Sequence, residues 1–205
     1  MKNEAVFWDR VAVVYDVFVN IINAKTHKTL CKEIEPLFSS TDTVLECACG
    51  TGMLTRVIAP KCKNIIATDF SKNMVEKTQA KCKSHNNIRF MVEDIINLSF
   101  NDASFDKVIA ANVLHLLDDP HQALKELYRV CKPGGKIIIP TYINKKSDNK
   151  ENKFVKAVGK IGSCFKETFS FSTYRQFIID AGYTCANYIE VDGFIPCLVV
   201  VIDKN

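Results

Sequence analysis

Apolar positions recur at helical spacing over the first forty residues, then give way to short runs separated by helical stretches. Phe7, Val11, Val14, Phe18 and Ile22 fall at three- and four-residue steps, which places them on one face of a helix. The many valines lower the propensity of that helix, because β-branched side chains lose rotamer freedom there. Leu30, Cys31, Ile34 and Phe38 form a second helical stripe. Short β-branched runs then occupy 43–47, 64–68, 88–92, 105–111 and 136–143. Each is too short for a buried helix and none alternates cleanly, as expected of strands buried on both faces.

Helices are predicted between most of these strands. One over 53–59 stops at Pro60, and Ser71 caps another that reaches about Lys83. Asp119 followed by Pro120 is an N-cap followed by Pro at the first helical position. That helix ends before Pro133-Gly134-Gly135, while the gap between the third and fourth runs reads mostly as loop. Strand–helix–strand units of this length give a parallel sheet with helices on both faces. The runs 183–191 and 194–202 flank Asp192-Gly193, a pair suited to a two-residue type I′ turn. The sheet is therefore expected to finish in an antiparallel hairpin.

Composition narrows the class. The 205 residues fit one domain, and 47% apolar with 24% charged is ordinary for a folded globular chain. The longest mostly apolar stretch, 194–202, is far short of the roughly 20 residues a membrane span needs. Glu4, Asp9 and Arg10 interrupt the place of a signal-peptide core, so a cytoplasmic protein is expected. Nine cysteines, an odd number without a Cys-x-x-Cys pair, read as free thiols packed as small hydrophobes. No spacing suits a metal, and none is expected. Residues 145–160 carry six Lys against Asp148 and Glu151, and so account for the net charge of +4. That run is either a solvated surface or a docking face for an anionic partner. No basic patch interleaved with aromatics suggests nucleic acid.

Open parallel sheets bind ligands beyond the carboxyl ends of their strands, near the reversal of strand order. After the first strand comes Glu46-Cys47-Ala48-Cys49-Gly50-Thr51-Gly52, where small residues at 48, 50 and 52 let a ligand approach the backbone. After the second comes Asp69, whose carboxylate can accept from a ribose diol. Glu93-Asp94 follows the third strand, and Asn112 through His115 follows the fourth. A nicotinamide dinucleotide wants a third glycine where Thr55 stands, and Glu46 would face its phosphates. A ligand with an ammonium and a sulfonium group is instead helped by Glu46.

These stretches resemble the class I S-adenosylmethionine-dependent methyltransferases of the small-molecule type, which include quinone C-methyltransferases. Val44 to Gly52 is similar to their first motif, and Ile66 to Met74 to their ribose-binding motif. Glu93-Asp94-Ile95 resembles the adenine-contacting turn, Ser104 to His115 the fourth-strand motif, and Leu127 to Gly135 the approach to the fifth strand. Phe7-Trp8-Asp9-Arg10 and Tyr15-Asp16 resemble an N-terminal helix that covers the cofactor. Ala48 stands where Gly is common in that family, and Glu46 where Asp is common.

The resemblance implies a Rossmann-like, mostly parallel seven-stranded sheet in one domain over 1–205. A helical cap at 1–40 and a lid at 144–171 would adjoin the acceptor. It implies Gly50, Thr51 and Gly52 against the methionine part of the cofactor, Asp69 on the ribose, Asp94 at the adenine amino group and Ile95 at its ring. Glu46, Ala48 and Asn112 would complete the cofactor site. Phe70 and Met74 either cover the adenine or pack in the core, and Tyr15 either closes over the methionine carboxylate or packs in its helix.

The implied reaction moves a methyl group to a small acceptor, and a base is needed only where the acceptor holds a proton at neutral pH. His115 is the candidate base, or else a histidine packed below the cofactor; Tyr142 either orients the acceptor or is structural. Cys47 and Cys49, two residues apart, would face the same way on an extended backbone, either to pack or to bind a soft substrate such as trivalent arsenic. A non-catalytic S-adenosylmethionine-binding protein and a nicotinamide oxidoreductase are the alternative functions. The acceptor and the oligomeric state are not specified by the residues.

Overall fold

The computed structural model describes residues 23–144 and 168–205. The predicted face of Phe7 to Ile22, Tyr15, most of the 1–40 cap and most of the 144–171 lid lie outside the described residues. Seven strands form one sheet in the order β3-β2-β1-β4-β5-β7-β6. They are β1 (Thr43–Cys47), β2 (Asn64–Asp69), β3 (Ile88–Val92), β4 (Phe105–Ala110), β5 (Cys131–Tyr142), β6 (Asn187–Val191) and β7 (Cys197–Asp203). β1 to β5 pair in parallel, and β7 runs antiparallel to both β5 and β6. This is the expected mostly parallel sheet with antiparallel strands at its C-terminal side.

Chain order steps outward from β1 through β2 to β3, then restarts on the other side of β1 with β4 and β5. The carboxyl ends of β1 and β4 therefore splay their loops in opposite directions and leave a crevice between them.

The described helices are α1 (Ala24–Ile34), α2 (Thr55–Ile58), α3 (Lys72–Lys81), α4 (Pro120–Val130) and α5 (Phe171–Asp180). Ser71 Oγ accepts from Met74 N at 3.2 Å and Asp119 Oδ1 from Gln122 N at 2.9 Å, so both predicted N-caps satisfy an otherwise unpaired helix donor. The helix expected over 53–59 is shorter: α2 is one turn, and Pro60 lies in the 3₁₀ turn Ala59–Lys61 that follows it.

Side chains alternate between the two faces of the sheet. Val44, Ile109, Ile138 and Val199 pack with Leu30 and Ile34 of α1 and Ile58 of α2. Leu45, Val108, Ile137, Ile139 and Val200 pack with Leu124 and Leu127 of α4 and Tyr174 and Ile178 of α5. Burial on both faces explains why these strands read as unbroken apolar runs.

The expected two-residue turn is not what joins the last strands. Val191 pairs with Cys197, so five residues connect β6 to β7, and neither Asp192 nor Gly193 takes the positive φ a type I′ turn requires. Gly193 is needed for a different reason: a Cβ there would lie 1.7 Å from Thr26 Oγ1 on α1. The loop is held to the start of α1 by Asn23, whose Nδ2 donates to Ile195 O at 3.1 Å and whose Oδ1 accepts from Ile195 N at 3.0 Å. Among the described residues no helix is long and apolar enough to cross a membrane.

Candidate functional site

β1 ends in a loop that turns left-handed at every second residue: φ is +54° at Ala48, +56° at Gly50 and +83° at Gly52. This accounts for glycine at 50 and 52, which have no Cβ to crowd the following carbonyl in that conformation, whereas Ala48 bears that strain. At Gly52 space is limited as well, because a Cβ would meet Thr78 Cγ2 at 2.9 Å. Thr78 Oγ1 donates to Gly50 O at 2.8 Å, which ties the loop to α3.

Asp69, at the end of the neighbouring strand, is half-buried. Its Oδ2 accepts from Gly50 N and its Oδ1 from Ser71 N, both at 2.9 Å. A carboxylate oxygen can accept more than one hydrogen bond, so a ligand hydroxyl can share Asp69 with these backbone donors. Phe70 beside it is also half-buried, and Met74 is buried on α3.

Glu46 is the buried carboxyl of the site. Its side chain is on the α1–α2 side of the sheet, 3% exposed, and Oε2 accepts from Thr55 Oγ1 at 2.6 Å. Burial raises its carboxyl to about 8, with the Thr55 hydrogen bond opposing and the nearby Asp69 charge adding to the rise. A carboxyl in this state is one that a bound cation would ionise.

Across the crevice, Asn112 follows β4 with a left-handed φ of +53°, and its N–H donates to Pro140 O at 2.7 Å. Its Oδ1 is buried and meets no donor among the described residues. A buried acceptor left in this way carries a desolvation penalty that a ligand N–H would remove.

Asp94 and Ile95 follow β3. Asp94 Oδ1 accepts from Ile96 N at 3.2 Å, while Ile95 packs into the core beside α4 and α5. His115 lies in the 3₁₀ turn Leu114–Leu116, 5% exposed, and burial lowers its pKa to about 4. Its ring centroid is 6.3 Å from that of Tyr142, the last residue of β5.

The two cysteines of the loop have separate surroundings, because the left-handed Ala48 ends the extended backbone between them. Cys47 packs into the core with Leu45 and Val108, while Cys49 Sγ donates to Thr78 Oγ1 at 3.8 Å. Burial raises the Cys47 thiol to about 12 and Cys49 well above its ordinary value, so neither is a thiolate at neutral pH. Among the described residues no three His, Cys, Asp or Glu are grouped as metal ligands would be.

One residue at the site has no sequence signal. His27 on α1 is buried, and its Nε2 lies 2.6 Å from Tyr142 Oη. It also lines a cleft of about 220 Å³ between α1 and α2, with Lys28, Cys31, Met53 and Arg56. Nothing within ten residues of His27 marks it, since its partner is on the fifth strand.

Comparison with known proteins agrees with this arrangement. Residues 45–139 match the family model described as a methyltransferase domain. Over 129 residues the chain is 37% identical to demethylmenaquinone methyltransferase of Staphylococcus saprophyticus, covering 60% of this chain and 55% of the relative. That match thus spans about half the length of the relative. The enzyme of the same name from Staphylococcus aureus is 29% identical over 201 residues, 92% of this chain and 83% of the relative. A solved S-adenosylmethionine-dependent methyltransferase of Thermotoga maritima has the same fold, with a TM-score of 0.74 at 19% identity over 97% of this chain and 99% of that one. Residues 45–139 thus match a methyltransferase domain, and the sheet around them has the fold of solved S-adenosylmethionine-dependent methyltransferases.

Proposed function

We infer that this chain moves a methyl group from S-adenosylmethionine to a small acceptor and releases S-adenosylhomocysteine. The observations that support this are the buried Glu46 carboxyl at the end of β1 and the buried Asn112 Oδ1, without a donor among the described residues, just past the end of the neighbouring β4. Two acceptors with little water around them suit an ammonium group, and they do not suit a pyrophosphate.

The residues present fit the cofactor in other respects. Ala48, Gly50 and Gly52 keep side chains out of the loop, and Thr51 lies buried between the two glycines, where the methionine part would rest. Asp69 is held by two backbone N–H groups in a fixed orientation and can accept from the ribose diol. Asp94 would receive the adenine amino group, with Ile95, Phe70 and Met74 supplying apolar surface near the ring. Tyr15, the remaining member of the proposed set, lies outside the described residues.

The sulfonium supplies an already activated methyl group, so the protein's work is alignment and exclusion of water. His115 keeps its candidate role as a neutral imidazole. The burial that keeps it neutral also makes it a weak proton acceptor, with a pKa of about 4.

Calorimetric titration tests the reading. Saturable binding of S-adenosylhomocysteine without binding of NAD is expected, and the reverse result overturns it. Transfer of a radiolabelled methyl group is then measured with demethylmenaquinone as first acceptor, because the relatives named above are demethylmenaquinone methyltransferases. Binding of S-adenosylmethionine with no transfer to this or any small acceptor would leave a binding protein in place of an enzyme.

A further inference from the structure

His27 and Tyr142 are 115 positions apart, yet Nε2 of one lies 2.6 Å from Oη of the other. A neutral phenol is the natural donor to an imidazole nitrogen, which leaves the His27 proton on Nδ1. The two rings are tilted at 45° with centroids 6.0 Å apart, so they meet through this polar contact and not by stacking.

The location of the pair gives it a direction. Tyr142 ends β5, the strand beside β4 and next but one to β1, and so lies beyond the β1–β4 crevice on the side away from Asp69 and β2. Its side chain is only half-buried, and it shares the α1–α2 side of the sheet with Glu46. His27 carries the contact outward, because it also lines the cleft between α1 and α2. Among the described residues, the titratable groups near the pair include His115 from the turn after β4, Lys28 and Cys31 from α1 itself, and Arg56 from α2. Two of these are cations, which favour an anionic oxygen nearby.

Resting on the methyl-transfer reading, we propose that Tyr142 and His27 form a proton relay for an acceptor that carries an ionisable hydroxyl of the phenol or enol class. The acceptor O–H bond breaks toward Tyr142 Oη while the Tyr142 proton passes to His27 Nε2. The electron pair freed on the acceptor forms the new bond to the methyl carbon, and the C–S pair stays on sulfur. The imidazolium then returns its proton to water through the cleft. His27 touches Tyr142 and not the acceptor, so it is a positioning and proton-holding residue.

The test uses 4-nitrophenol, whose phenolate absorbs at longer wavelength than its phenol, bound to the full chain saturated with S-adenosylhomocysteine. In the wild type the bound probe should ionise at least one pH unit below the free probe. H27Q and Y142F should each abolish that shift, while stabilisation by S-adenosylhomocysteine stays within twofold in midpoint shift, showing that both variants fold. An unshifted or unbound probe in the wild type overturns the relay, as does a shift that survives in H27Q. If S-adenosylhomocysteine stabilises the wild type while the probe stays unshifted, the relay alone fails. If S-adenosylhomocysteine has no effect, it is the methyl-transfer reading that fails.

Discussion

The Thr55 hydroxyl donates to Glu46 Oε2 across 2.6 Å, between the first turn of α2 and the end of β1. One hydrogen bond does not offset the loss of water around a carboxylate, which is why burial wins and the group titrates at about 8.

This gives the cofactor site a pH dependence. A ligand ammonium favours the ionised carboxyl, so binding must expel a proton below pH 8. Affinity for S-adenosylhomocysteine should fall by about tenfold per pH unit as pH drops from 8 towards 6. Calorimetry on E46Q should show weaker binding and a flat profile over the same range. A wild-type profile that is flat would remove Glu46 from the ammonium site.

Stability should respond to pH from two sides. The folded pKa of Glu46 lies above its ordinary 4.5, so the folded state holds the extra proton and loses stability as pH rises from there to about 8. His115 acts oppositely: its folded pKa of about 4 lies below the ordinary 6.5, so stability falls as pH drops through that interval. Urea midpoints across pH 4 to 9 should flatten on the alkaline side in E46Q and on the acid side in H115Q.

Asp69 has a structural and a proposed binding role that one variant can separate. D69A leaves the Gly50 and Ser71 donors without their carboxylate and should cost about 2 kcal/mol of stability. It should also lower S-adenosylhomocysteine affinity at least tenfold. Unchanged affinity in a folded D69A protein would refute the ribose role.

Ala48 is a left-handed alanine, and the sequence already marked it as a departure from glycine. A left-handed alanine costs about 1–2 kcal/mol, and glycine gives back about 0.4–1 kcal/mol through unfolded-state entropy. A48G should therefore raise stability by roughly 0.5–1 kcal/mol in urea unfolding. A neutral or lower value would mean that the loop relaxes around Ala48.

Two glycines separate conformational from steric need. Gly182 has φ +95° with nothing within 4 Å of a built Cβ, so G182A should cost about 1 kcal/mol. Gly193 has no positive φ but is blocked by Thr26 Oγ1 at 1.7 Å, so G193A should cost about 2 kcal/mol or more. Equal costs would show that the α1 contact yields easily.

Much of the fold was legible because its signals are local. The 43–47 and 88–92 runs match β1 and β3 residue for residue, and the Ser71 and Asp119-Pro120 caps act within one helical turn. The crevice followed from strand order, which crossover rules limit. Non-local needs leave no such local trace. Asp192-Gly193 looked like a turn because the pattern carries no trace of Thr26. Cys47 and Cys49 read as neighbours on one face because nothing in the local pattern signals the left-handed Ala48. His27 acquires its partner only when α1 docks beside the end of β5.

The last strand in chain order, β7, sits inside the sheet between β5 and β6. During synthesis β5 must wait as an open edge until residues 197–203 emerge, and β6 has no neighbour before then. The Asn23–Ile195 bonds, spanning 172 positions, can close only after that event. A nascent chain therefore assembles the wall carrying His27 late, and shortened products that end before β7 should be ligand-blind and prone to edge-to-edge association.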